Sequence, residues 1–260
     1  MGFVISADGT AISFTDTGDG PTVVIVNGAL STAADAAPLA AALAAAGVRA
    51  VTWDRRARGA SGDRAGSTPE DEVADLAAVI DAIGGADAVL GHSSGAVLAL
   101  CAASRRVPTG ALFLSEPPID FDGTGFGPEL AERLQELVDA GQAIDAVATF
   151  QRDAIGIPAE AVNAAREHGQ LAALAPLAQS TVYDTRLTLR MRQPTAALLD
   201  VAAPTTVLRG AQTFPFLLAA SDRLAAVLPG ARLVVVPESV MHRPDPAATA
   251  RVVTDGLQRR

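Results

Sequence analysis

The strongest constraint on this chain is an alternation of two kinds of segment. Short runs rich in β-branched residues are followed by longer Ala- and Leu-rich stretches, and each pair reads as one strand–helix unit of a mostly parallel sheet held between helical layers. Thr22–Val26, Arg49–Trp53, Ala88–Leu90 and Ala111–Ser115 read as strands, and Ala33–Ala46, Pro69–Ile83 and Gly95–Arg105 as the helices between them. The opening differs: Phe3–Ala7 and Ala11–Asp16 flank Asp8-Gly9-Thr10 and predict an antiparallel hairpin at a sheet edge. The alternation resumes with Thr205–Leu208, a helix around Phe216–Leu228, Arg232–Val236 and a last helix from Pro246 to Leu257.

Between these two blocks the strand signal disappears. From Pro117 to Ala203 only helical periodicity is left, as in Pro128–Ala140 and Ala159–His168, and the stretch is too long for a bare loop. The expected organisation is therefore one α/β core made of residues 1–116 and 204–260, with residues 117–203 inserted as a helical cap. Read this way, the cap is separable: deleting it is expected to leave a sheet that still reacts with small activated esters. The 260 residues suit one such domain better than two independent ones.

Composition excludes several partners. A formal charge of −9 and a pI near 4.8, with no basic cluster, argue against nucleic acid or an anionic membrane surface. No apolar run reaches the ~18 residues that would span a bilayer. Cys101 is the single cysteine, so an intrachain disulfide is ruled out and a reducing cytoplasm is the expected compartment. All the cationic residues are Arg, which with the abundant Ala suggests a GC-rich bacterial source. No cofactor or metal is expected, since the histidines are scattered and Gly18-Asp19-Gly20 precedes a strand rather than a phosphate-binding helix. The oligomeric state is left open.

The chemistry is carried by Gly91-His92-Ser93-Ser94-Gly95, a G-x-S-x-G pentapeptide between a strand and a helix. A sharp strand-to-helix turn holds the central serine in a strained conformation, and the glycines remove Cβ atoms that would collide with backbone. Ser93 is thus the candidate nucleophile, at the positive end of the following helix. A serine hydroxyl needs a base, and imidazole suits that task near neutral pH. Of the three histidines, His92 adjoins Ser93 and is expected to point away, and His168 lies in a charged inserted helix. His242 follows a late strand and precedes the last helix, so its loop can bring the ring over the sheet to Ser93.

Four segments resemble the α/β-hydrolase superfamily: Val24-Ile25-Val26-Asn27-Gly28-Ala29, the Trp53–Ser61 turn, the Gly91–Gly95 elbow, and Met241-His242 before the final helix. The resemblance covers nearly the whole chain and implies an eight-stranded, mostly parallel sheet. It implies that the first segment is an oxyanion loop, with Asn27 where the family usually has His, and that the N–H groups of Ala29 and Ser94 form the oxyanion hole. Asp54 and Arg55 then brace the underside of that loop. The acid departs from the commonest family pattern, because Thr206–Pro215 offers no carboxylate and Asp222 falls inside a helix. Glu116, at the end of the strand after the elbow, is the candidate instead, the position used by zearalenone-type lactonases and certain haloalkane dehalogenases; Asp120 and Asp122 are in reserve. Trp53, Phe214, Phe216 and Met241 are either pocket or core, and the sequence favours core.

The resemblance implies a serine hydrolase that cleaves a carboxylic ester or lactone of a small apolar molecule. Two rivals stay open: a biosynthetic acyltransferase or cyclase using the same residues, and a non-catalytic ligand-binding receptor of the same fold.

Overall fold

The computed structural model describes residues 1–259. Its eight strands form one sheet in the order β1-β2-β4-β3-β5-β6-β7-β8. The strands are β1 (Gly2–Ile5), β2 (Ala11–Thr17), β3 (Thr22–Val26), β4 (Arg49–Trp53), β5 (Ala88–His92), β6 (Ala111–Ser115), β7 (Thr205–Arg209) and β8 (Arg232–Val235). β1 and β2 form the expected antiparallel edge hairpin, β2 joins β4 antiparallel, and the remaining pairings are parallel.

Five helices cover the sheet: α1 (Ala37–Ala45), α2 (Pro69–Ala82), α3 (Ser94–Ser104), and, at the far end of the chain, α10 (Pro215–Val227) and α11 (Pro246–Gln258). The run expected as one helix from Ala33 divides into a 3-10 turn, Ala33–Ala36, and α1, because Pro38 has no N–H for an interior position and opens a helix instead. Each central strand feeds both faces. Val24 and Val26 of β3 pack with α2 and α3, while Val23 and Ile25 point to the opposite layer with α1 and α11. That double burial explains why these strands read as continuous apolar runs rather than alternating ones.

Between β6 and β7 the chain forms α4 (Glu129–Asp139), α5 (Ala143–Thr149), α6 (Ala159–Glu167), α7 (Gln170–Leu174), α8 (Ala178–Arg190) and α9 (Ala196–Leu199). These inserted helices have an apolar cluster of their own, built on Leu134, Val147, Phe150 and Val182. α8 also reaches the sheet side, where Leu187 and Met191 join the core beneath it.

Candidate active site

The site is built where β3, β5, β6 and β7 end. Ser93 sits between β5 and α3 with φ 54° and ψ −126°, a strained backbone that a non-glycine residue rarely adopts. The pentapeptide glycines are required by proximity. A Cβ on Gly95 would lie 2.1 Å from the carbonyl oxygen of Val26, and one on Gly91 would lie 2.5 Å from Cα of Ala96. α3 can therefore start directly against β3, which puts its N-terminus beside the loop after that strand.

That loop, Asn27 to Thr32, is tied from below. Asn27 Nδ2 donates to the Thr32 carbonyl at 2.5 Å and so ties the two ends of the loop together. Asp54 accepts from the N–H groups of Ala33 and Ala60 at 2.7 and 2.9 Å, so it braces the turn as expected. Arg55 and Arg58 donate to the carbonyls of Asn27 and Gly28 at 3.3 and 2.6 Å.

His242 lies on a tight loop after β8, with its own φ at 61° and that of Met241 at 50°. Its Nδ1 is 2.5 Å from Oε2 of Glu116. Glu116, itself at φ 47°, follows β6 directly, and its carboxylate is nearly buried. Oε2 also accepts from Thr213 Oγ1 at 2.9 Å, and Oε1 from the Gly210 N–H at 2.8 Å. Burial alone would raise the Glu116 pKa, but the bonds from His242, Gly210 and Thr213 outweigh it and hold the carboxyl below its ordinary value. An ionised carboxylate therefore faces the ring nitrogen.

The carboxylates in reserve are engaged elsewhere. Asp120 accepts from the N–H groups of Gly123, Thr124 and Gly125, Asp122 pairs with Arg223 at 2.6 Å, and Asp222 pairs with Arg209 at 2.6 Å. His168 is exposed at the end of α6, as its charged surroundings suggested. Cys101 is buried in α3, and burial pushes its thiol up to about 11.

Two expectations need correction. His92 does not turn away from the site: its ring packs on that of His242 with centroids 4.5 Å apart, and it lines the same cavity as Ser93. Burial, with the neighbouring His242, lowers its pKa to about 3, so it is a neutral ring at pH 7 and adds no charge beside His242. The four aromatic and Met candidates also divide. Trp53 is core, Phe214 and Phe216 line the cavity, and Met241 is 65% exposed outside it.

The cavity measures about 1160 Å³. Ser93, Ser94, Ala29 and His242 line it from the sheet side, and Phe126, Phe150 and Ile155 from the inserted helices. Four contributors escaped the sequence reading: Thr213 and Gly210, which hold Glu116, and Arg58 and Asp184, which form a buried ion pair at 2.8 Å under the Asn27–Thr32 loop. Asp184 lies in a Thr-rich helix, among Thr181, Thr185 and Thr188, and no motif in the sequence marks it. Among the described residues no group of His, Cys, Asp and Glu is arranged to hold a metal ion.

Comparison with known proteins agrees with this architecture. The family model described as "Alpha/beta hydrolase family" matches residues 23–252. A crystal structure of an alpha/beta hydrolase from Sphaerobacter thermophilus is 37% identical, with a TM-score of 0.88 over 98% of this chain and 99% of that one. A thermophilic esterase from Thermogutta terrifontis (20% identical, TM-score 0.76, 99% and 98% covered) shares the fold. So does the enol-lactonase from Burkholderia xenovorans (21% identical, TM-score 0.69, 99% and 100% covered). No protein of curated function matches the chain. A family model spanning most of the sequence and a 37%-identical structure matched over 98% of the chain lead to one assignment: the chain belongs to the alpha/beta hydrolase family.

Proposed function

We propose that this protein is a serine hydrolase that cleaves a carboxylic ester or lactone of a small apolar molecule through an acyl-enzyme. The observation that carries the reading is the 2.5 Å contact of Glu116 with His242 Nδ1, beside a strained Ser93 on the same cavity. With Nδ1–H bound to the carboxylate, Nε2 is the free lone pair of the neutral ring and is the atom that accepts a proton.

Ser93 Oγ attacks the carbonyl carbon while its proton passes to His242 Nε2, and the charge that develops on the carbonyl oxygen is met by the N–H groups of Ala29 and Ser94. The tetrahedral intermediate then breaks its bond to the alcohol oxygen, which takes the proton from His242. In an ester the alcohol leaves; in a lactone it stays tethered to the acyl group. Water repeats the attack, giving its proton to His242, and collapse returns that proton to Ser93 and releases the acid. Glu116 stabilises the imidazolium in both halves and does not itself change protonation.

The largely apolar cavity lining supports a small apolar substrate, with the inserted helices acting as a cap that sets the pocket's shape. The esterase and enol-lactonase that share the fold make ester and lactone carbonyls the first to try. The −9 charge supports a protein that acts away from nucleic acid and anionic membrane, and the lone buried Cys101 supports the cytoplasm. Among the described residues no helix is long and apolar enough to cross a membrane.

The test pairs a fluorophosphonate probe with p-nitrophenyl esters of rising chain length and a panel of lactones. Ser93→Ala is expected to lose labelling and nearly all turnover, keeping at most the ~10³ over water that an oxyanion hole alone supplies. If the variant hydrolyses p-nitrophenyl acetate at a rate close to the parent's, Ser93 is not the nucleophile. Product analysis with an added alcohol separates hydrolysis from acyl transfer. A parent that binds without labelling or turnover is a receptor.

A further inference from the structure

Beneath the proposed oxyanion donors lies a cluster of charge that the acyl-transfer steps do not use. Arg55, Arg58, Glu72 and Asp184 are each 1–2% exposed. Arg58 Nη2 pairs with Asp184 Oδ2 at 2.8 Å, Arg55 Nη1 with Asp184 Oδ1 at 2.9 Å, and Arg55 Nη2 with Glu72 at 2.6 Å. Burial by itself would raise the Asp184 carboxyl, but Arg58, Arg55 and the Ser94 hydroxyl outweigh it and keep Asp184 below the ordinary carboxylate range. Asp184 is thus an ion.

The cluster touches the peptides that carry both donors. Arg58 Nη1 donates to the carbonyl of Gly28 at 2.6 Å, and Ser31 Oγ supports the same oxygen at 2.7 Å. That carbonyl and the Ala29 N–H belong to one trans peptide and point in opposite directions, so holding the first aims the second. A cationic donor on the oxygen also polarises the amide and strengthens its N–H as a donor. On the other side, Ser94 Oγ donates to Asp184 Oδ1 at 2.7 Å and accepts from Arg55 Nη1 at 3.1 Å, which fixes the residue that supplies the second N–H.

We propose that Asp184 is a positioning residue of the oxyanion hole: from α8 of the inserted helices it clamps Arg58 and the Ser94 hydroxyl, and so makes the geometry of both donors depend on the docking of that helix. This rests on the acyl-enzyme reading above. Two features separate the role from simple reinforcement of the fold. Apolar residues of similar volume commonly serve stability as well as buried ion pairs do, but they cannot hold a carbonyl. The cluster is also not optimised for stability, since Arg58 Nε and Glu72 Oε2 are buried without a hydrogen-bond partner among the described residues.

The experiment compares the parent, Asp184→Asn and Ser94→Ala in three measurements: kcat and KM on a p-nitrophenyl ester, the rate of fluorophosphonate labelling, and inhibition by phenylboronic acid. The boronate forms a tetrahedral adduct with a serine oxygen and puts an anionic oxygen into the hole, so its affinity reports the donors directly. Asp184→Asn is expected to lower kcat and boronate affinity together by roughly 10- to 100-fold while KM moves by less than about threefold. A variant that folds as the parent does, by circular dichroism, with kcat and boronate affinity unchanged overturns the proposal. If Asp184→Asn does not fold, Ser94→Ala decides, because it keeps the backbone N–H and leaves no charge unpaired. Its kcat and boronate affinity should fall together by about 3- to 10-fold, and unchanged values overturn the proposal. A parent that neither labels nor turns over esters sinks the acyl-enzyme reading itself; a parent that labels, beside variants that label as fast, sinks only the role of Asp184.

Discussion

Glu116 receives three donors, from His242, Gly210 and Thr213, and each has a separate consequence for the proposed chemistry. Glu116→Gln keeps the size and an acceptor for Nδ1–H but removes the charge that stabilises the imidazolium, so kcat should fall by roughly 10²–10⁴. Asp222→Asn, which loses only an exposed pair with Arg209, should leave kcat within about twofold. The reverse pattern in two folded variants would move the acid to Asp222. Thr213→Val tests the support of the carboxylate: one hydrogen bond to a charged group contributes about 1.5–3 kcal/mol, and the part that acts through His242 should lower kcat/KM by about 3- to 10-fold. No change on either p-nitrophenyl acetate or a reactive lactone would mean that Thr213 merely fills space.

At the scale of elements, what the sequence made legible follows from how local the cause is. The strands around Ser93 were readable because burial on both faces leaves runs such as Thr22–Val26 with little besides Val and Ile. The elbow was readable because its two glycines are forced by contacts within a few residues and with β3. Gly95→Ala accordingly should cost about 3 kcal/mol or more, roughly 6–12 °C in melting temperature, since the added Cβ meets the backbone oxygen of Val26 and no rotamer relieves it. α8 falls inside the stretch expected to be helical but has no boundaries in the sequence: Thr181, Thr185 and Thr188 bond to their own i−3 or i−4 carbonyls, a habit that lowers helix propensity and blurs where the helix begins and ends. His92 departs from its expected orientation because adjacency in a strand separates neighbours by face, whereas β5 ends at His92 and the chain turns sharply at Ser93.

The edge hairpin has an electrostatic signature of its own. Asp8 in its turn is tied to Thr10 and to Arg56, which also pairs with Asp75 of α2. Burial, which would raise Asp8, is outweighed by the Thr10 bonds and by Arg56, and its pKa falls from the ordinary 3.8 to about 2. The folded state therefore binds fewer protons than the unfolded state between those values. Its stabilisation is complete above about pH 4 and is lost as pH falls towards 2. Melting temperatures of the parent and Asp8→Asn should differ at pH 5 and converge by pH 2; a gap of constant size would assign the effect to packing rather than charge.

Across the whole molecule, the cavity and the buried charge cluster bind the inserted helices to the sheet in two different ways, and this changes what can be removed. Residues 117–203 are expected to be separable, but taking them away strips Asp184 from Arg55 and Arg58 and removes Leu187 and Met191 from the core they share with α2 and α3. Losing buried side chains of this size costs roughly 2–5 kcal/mol each, enough to unfold a typical domain with little to spare. Deletion is therefore the wrong way to test whether these helices choose the substrate. Single substitutions on the cavity wall avoid the problem. Ile155 lines the cavity from the inserted helices and is only partly buried, so Ile155→Ala enlarges the pocket without opening a core void. If the proposed ester chemistry takes place in this cavity, longer acyl chains gain the space. Each methylene accommodated changes selectivity by roughly tenfold or somewhat more, so kcat/KM for p-nitrophenyl octanoate should rise relative to acetate by about 10-fold in the variant. Acetate, which has no chain to fill the added space, should be turned over as by the parent. A variant whose chain-length profile matches the parent's would place the acyl group away from Ile155.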